Sequence, residues 1–178
     1  MIEKTTFETL ISVESLSNII GESQMMIFDC RFDLADTELK RGDYLTSHIP
    51  GAFYAHLDEN LSSPILPDTG RHPLPDVGDL VGWLANCGFD GSQQVIVYDD
   101  SFGAMATRLW WLLKCLGHEA VAVLDGGWQA WLSEGKSTTE GIPENIPATY
   151  NPKFNMLEVV TTDEIEMNLR SSKFLLVD

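Results

Sequence analysis

Apolar positions follow two different periods along this chain. Residues 25–30, an apolar run that meets Asp29, and residues 95–98 and 121–124 are short stretches that each read as a strand buried on both faces. Between them apolar residues recur at helical spacing. Val13, Leu16, Ile19 and Ile20 mark a short helix over 13–21; Val77, Leu80, Val81 and Leu84 mark one over 76–87. Met105, Leu109, Leu112, Leu113 and Leu116 mark one over 104–116. Gly88 and Gly117 stop the second and third. The Asp125-Gly126-Gly127 turn leads to a further helix over 128–134, its glycines allowing a turn that a Cβ would obstruct. Residues 31–47 are polar and read as loop, and His48-Ile49-Pro50-Gly51-Ala52 reads as a turn into a short strand over 52–55. Residues 57–75, with four prolines, read as a long loop of the kind that often carries function. Strands alternating with helices predict an α/β domain with a largely parallel central sheet and helices on both faces.

The chain also repeats itself. Residues 10–29 and 159–178 align without a gap: Ser12 with Thr161, Glu14 with Asp163, Leu16 with Ile165, Ile20 with Leu169, and an apolar run ahead of Asp29 with one ahead of Asp178. A repeat of this length points to a duplicated domain. The expected organisation is one domain over 5–135, a linker over 136–152 that contains three prolines, and the start of a second, truncated copy over 153–178.

Composition narrows the partners. A net charge of −16, from 27 acids against 11 bases, repels nucleic acid and anionic membrane. An anionic ligand would need local positive charge, which makes the few arginines informative. Three widely spaced cysteines, Cys30, Cys87 and Cys115, argue against a disulfide framework. No apolar run approaches a membrane span and the N-terminus lacks a signal-peptide pattern, so the expected location is the cytoplasm.

In parallel α/β folds ligands gather at the carboxyl ends of the strands. The strand–loop–helix unit over 95–116 is therefore the first place to look, because a loop entering a helix N-terminus offers converging N–H groups to an anion or thiolate. Asp99 and Asp100 open this loop and oppose both, so this copy is not expected to carry nucleophilic catalysis. Cys30 and Cys115 lie on buried runs and read as inert small hydrophobes. A cysteine-phosphatase loop needs Arg six residues after Cys; Asp36, Gln93 and Val121 stand there instead. No CxxC pair or histidine cluster suggests a metal.

Six ordered features carry a resemblance: Ile27-Phe28-Asp29-Cys30-Arg31, His48-Ile49-Pro50-Gly51-Ala52, Gly70-Arg71-His72-Pro73-Leu74-Pro75, Val97-Tyr98-Asp99, Arg108-Leu109-Trp110-Trp111 and Leu124-Asp125-Gly126-Gly127-Trp128. With these the chain resembles the two-domain rhodanese-like sulfurtransferases that use thiosulfate or 3-mercaptopyruvate. The resemblance implies a rhodanese-like fold and a non-catalytic N-terminal copy, with Asp99 where the nucleophilic cysteine would stand. The catalytic cysteine, which carries sulfur as a persulfide, would belong to the second domain, beyond Asp178.

The resemblance also implies roles. Arg108 would bind the anionic donor; an ion pair with Asp99 or Asp100 is the alternative. Asp58 and His72 would assist as an acid–histidine pair, or serve as a turn residue and a loop anchor. Arg71 would add charge at the cleft mouth or remain solvated. His48, Asp29 and Arg31 read as structural, and Trp110, Trp111, Trp128 and Trp131 as packing. The implied activity passes sulfur from a small anionic donor to a thiol or cyanide, with no cofactor, the second rhodanese domain of the same chain being the expected partner. The 178 residues alone are expected to be inactive. The alternative is a catalytically silent rhodanese module acting in binding or regulation.

Overall fold

The computed structural model describes residues 6–153 and 159–177. Its elements run β1 (Leu10–Ile11), α1 (Val13–Ile19), β2 (Met25–Asp29), α2 (Leu39–Thr46), β3 (Ala52–Tyr54), α3 (Leu57–Asn60), α4 (Val77–Asn86), β4 (Gln94–Tyr98), α5 (Ala106–Cys115), β5 (Val121–Leu124), α6 (Gly127–Ser133) and α7 (Thr162–Ser171). The five strands form one sheet in the order β1-β5-β4-β2-β3, with every pairing parallel. The expected parallel α/β architecture is the observed one.

Alternation along the strands builds two cores. Phe28, Val95, Val97 and Val121 face Leu80 and Leu84 of α4 and Leu109 and Leu113 of α5. Ile27, Ile96, Tyr98 and Ala122 face Val13 and Leu16 of α1 and Trp128 and Trp131 of α6. Each fully buried large apolar side chain contributes roughly 1.5–3 kcal/mol, so the central strands β2 and β4 anchor the domain. All carboxyl strand ends share one edge, which gathers residues 30–38, 55–76 and 99–105.

Three elements depart from the sequence expectation. Helix α2 lies where 31–47 reads as loop, because Leu39–Thr46 buries only Tyr44. Tertiary ties hold it: the Tyr44 hydroxyl donates to the Ala52 carbonyl at 2.8 Å, and Lys40 pairs with Asp100 at 2.7 Å. Helix α3 has its N-cap on His56, whose Nδ1 accepts from the Asp58 and Glu59 amides; histidine is outside the usual capping set. Strand β1 is only two residues long and exists through its pairing with β5.

The proline-containing segment after α6 is a strap against the domain. His48 and Thr139 exchange backbone hydrogen bonds, Ala148 donates to the Ala85 carbonyl, and Tyr150 packs on Phe89 at 4.7 Å between ring centroids. At Gly117, with φ +78°, a Cβ would stand 2.7 Å from the Lys153 carbonyl oxygen, so the strap requires glycine there.

Both aligned stretches contain a helix with a side-chain N-cap. Ser12 caps α1 by accepting from the Ser15 amide, and Thr161 caps α7 by accepting from the Glu164 amide. After α7, the Asn168 side chain holds both the amide and the carbonyl of Phe174, and Leu175 and Val177 are exposed. Thr5, residues 154–158 and Asp178, which belong to the expected domain boundaries and the repeat, lie outside the described residues.

Candidate functional site

Strand β4 delivers Asp99 to the carboxyl edge of the sheet, where the chain turns into α5. Asp99 is buried, and its carboxylate fills the mouth of the loop. Oδ1 accepts from the Ser101 and Gly103 amides at 2.8 and 2.9 Å; Oδ2 accepts from the Met105 and Ala106 amides, both at 2.8 Å. The last two amides belong to the first turn of α5, whose N-cap residue Met105 provides no side-chain cap. Asp99 thus serves as the cap and faces the positive end of the helix. Of the two carboxylates that open the loop, Asp99 itself occupies the cradle. Asp100 turns aside to Lys40.

Gly127 completes the cradle. Its φ is +57°, its Cβ position is taken by the Asp99 carbonyl oxygen, and the Trp128 amide donates to that same oxygen at 2.8 Å. At the tip of the loop Phe102 also holds a left-handed backbone, φ +57°, and is fully exposed.

Helix α3 and the proline-rich loop bring together two residues fourteen apart in sequence. His72 Nδ1 lies 3.1 Å from Asp58 Oδ1, which assigns the Nδ1 proton to a hydrogen bond donated to the carboxylate. His72 Nε2 then carries the basic lone pair. It is shielded from solvent and has no hydrogen-bond partner among the described residues. The imidazole also packs edge-on to Phe32 at 6.4 Å.

Arg108, in the first turn of α5, reaches into this loop and pairs with neither Asp99 nor Asp100. Nε donates to the Leu61 carbonyl at 2.8 Å; Nη2 donates to the His72 and Pro73 carbonyls, both at 3.0 Å, and to Ser62 Oγ at 3.2 Å. Burial without a carboxylate lowers its pKa from the ordinary guanidinium value. Arg31, Arg41 and Arg170 each have a carboxylate within 3.0 Å, whereas Arg71 and Arg108 have no ion pair among the described residues. Arg71 is exposed beside His72.

The remaining nominated residues engage partners within the fold. Arg31 grips Asp29 at 2.6 Å, donates to the Ser47 carbonyl and lies over the Trp128 ring; the Tyr98 hydroxyl donates to Asp29 at 2.6 Å. His48 stacks on Tyr44, with Nδ1 2.7 Å from the Tyr44 carbonyl. Trp128 and Trp131 are buried, and Trp110 and Trp111 pack partly exposed on the α4–α5 core. Burial raises the Cys30 thiol well above its ordinary pKa and pushes Cys87 to about 12, so neither is a thiolate near neutrality.

A cluster that the sequence reading passed over is Glu38, His56 and Glu59, whose ligating atoms lie within 4.8 Å of one another. Arg41 already supplies its cation, at 3.0 Å from Glu38 and 2.6 Å from Glu59. His56 Nδ1 is spent on two amides and Nε2 lies 3.1 Å from the Thr37 carbonyl. The donor set is therefore saturated without a metal.

Comparisons with known proteins give the family. The family model described as Rhodanese-like domain matches residues 12–134. A Pseudomonas aeruginosa protein named "Probable 3-mercaptopyruvate sulfurtransferase" is 35% identical over 171 residues, which cover 95% of this chain and 60% of that protein. Thiosulfate sulfurtransferase of Mus musculus is 30% identical over 186 residues, covering all of this chain and 61% of that protein. The chain thus spans about three fifths of the length of these curated relatives. Among solved structures, 3-mercaptopyruvate sulfurtransferase from Leishmania major superposes with a TM-score of 0.78 at 31% identity, over 89% of this chain and 44% of that one. SseA from Escherichia coli superposes with a TM-score of 0.80 at 25% identity, over 93% and 64%.

Proposed function

The chain belongs to the rhodanese-like domain family, and from that premise we propose that the protein carrying it is a sulfurtransferase whose non-catalytic N-terminal domain is described here. In this reading residues 153–178 open a second rhodanese-like domain, which supplies the cysteine that becomes the persulfide. The paired caps of α1 and α7 and the exposed Leu175 and Val177 support that organisation. The filled cradle at Asp99 supports a silent first copy.

The observation that carries the reading is the Asp58–His72 pair with its unoccupied Nε2. Proton balance gives it a task. With 3-mercaptopyruvate, a cysteine thiolate attacks the donor sulfur, the carbon–sulfur bond breaks, and its electron pair passes to an enolate. The donor's thiol proton must then reach the enolate carbon to give pyruvate, and a histidine oriented by a carboxylate is suited to move it. With thiosulfate, the thiolate displaces sulfite and no proton moves. Arg71 and Arg108, the latter through Nη1, supply the positive charge an anionic donor needs in a chain of net charge −16. The persulfide sulfur then passes to a thiol or to cyanide. Neither route calls for a cofactor, and the setting proposed is the cytoplasm.

The test is thiocyanate formation by the intact natural protein and by H72Q with each donor. The reading expects H72Q to lose transfer from 3-mercaptopyruvate by about 100-fold and to keep transfer from thiosulfate. The 178-residue chain alone is expected to transfer no sulfur. A second reading, a silent binding or regulatory module, is favoured by the burial of Cys30 and Cys115 and by the filled cradle. Absence of transfer from either donor by the intact protein would select it.

A further inference from the structure

Residues 61–73 leave the end of α3, pass through Pro64 and Pro67, and return at His72 and Pro73. The two ends of this excursion meet on one side chain. Arg108 donates to the Leu61 carbonyl at the outgoing end and to the His72 and Pro73 carbonyls at the returning end. Ser63 adds a backbone bond to the Pro73 carbonyl at 3.2 Å. Asp58 lies one turn ahead of Leu61, so what fixes Leu61 relative to His72 also fixes Asp58 relative to His72.

We propose that Arg108 is a positioning residue that closes the 61–73 loop and thereby sets the 3.1 Å Asp58–His72 contact; this rests on the relay role proposed above. Closing a loop of this length costs conformational entropy, and one guanidinium with donors on two edges meets that cost where a point charge cannot. The α5 helix supplies the rigid base: Ala106 and Leu109, on either side of Arg108, and Leu112 and Leu113 beyond them are buried in the core. In this proposal a donor anion meets Arg108 through Nη1, the edge that the loop carbonyls do not engage. Positional action and substrate contact are therefore separable in kinetics.

The experiment compares H72Q, R108M, R108K and the double variants R108M/H72Q and R108K/H72Q in the intact natural protein. R108K keeps the charge and the aliphatic stem, which guards against failure to fold. The clasp predicts that R108M and R108K lower kcat for 3-mercaptopyruvate by on the order of 10- to 100-fold. Each double variant should show a kcat for 3-mercaptopyruvate no lower than that of H72Q alone, since both changes disable one relay. Additive losses in kcat, or a rise in KM with kcat unchanged, would overturn it in favour of substrate contact alone. Amide exchange gives a readout independent of activity. The Ser63 amide and its neighbours over 62–73 should exchange about tenfold or more faster in R108K, and unchanged protection overturns the clasp. If the wild-type protein transfers sulfur from neither donor, the functional reading fails, and exchange alone decides whether the loop is held as proposed.

Discussion

Replacing Asp99 with asparagine tests the cradle at its centre. The carboxylate accepts four amides, two on each oxygen. An amide side chain of the same shape has one oxygen, so its NH2 must face two N–H donors that then lack an acceptor. Each buried donor left unpaired costs about 1–3 kcal/mol, and the two surviving bonds weaken from charge-assisted to neutral strength. The expected loss is about 3–5 kcal/mol, a large part of the 5–15 kcal/mol typical of a domain. Removing one negative charge from a chain at −16 would by itself stabilise, so the sign separates local hydrogen bonding from general repulsion. D100N is the control. Asp100 is partly exposed and pairs with Lys40, and such a pair is worth about 1 kcal/mol or less. Urea unfolding followed by tryptophan fluorescence reads both variants. For D99N the midpoint should fall by roughly 1–3 M with little change in slope. A D99N loss below about 1 kcal/mol, or one equal to that of D100N, refutes the argument.

Four further outcomes are expected. G127A should lose at least about 2 kcal/mol in the same urea assay, because the new methyl meets the Asp99 carbonyl at positive φ. Y150A should lose about 2 kcal/mol by freeing the strap from Phe89, and a loss within 0.5 kcal/mol of zero, roughly the noise of surface substitutions, contradicts that packing. Burial lowers the His118 pKa in the folded state below its ordinary 6.5, so the unfolded chain takes the proton first and stability falls as pH drops through 6.5; H118Q should flatten that part of the stability–pH curve. Cys87, raised to about 12 by burial, should resist iodoacetamide at pH 8 in the native chain and react once the chain is unfolded in urea.

The parallel sheet and the helices α1, α4, α5 and α6 were legible because each carries its burial in its own period. Helix α2 was not, since its eight residues bury one side chain and take their stability from Ala52, Asp100 and Glu59 across the chain. Helix α3 lacked a recognisable cap because a histidine fills that role. At the site, the residues were named but their arrangement was not. Asp99 was read as a repelling charge, because sequence shows its sign and not the four amides it satisfies. Arg108 was weighed between a substrate anion and the nearby aspartates, and its carbonyl partners 35 to 47 residues away leave no local trace. The Asp58–His72 pair was the part that resemblance and geometry brought to the same place.

The central claim is that the Asp58–His72 pair serves proton transfer from 3-mercaptopyruvate. Initial rates of thiocyanate formation, measured with both donors on the intact natural protein and on H72Q, test it most directly. H72Q is expected to lose about 100-fold with 3-mercaptopyruvate while the thiosulfate rate stays within about threefold. Equal rates for H72Q and wild type with 3-mercaptopyruvate, or no thiocyanate from either donor with the wild-type protein, would contradict it.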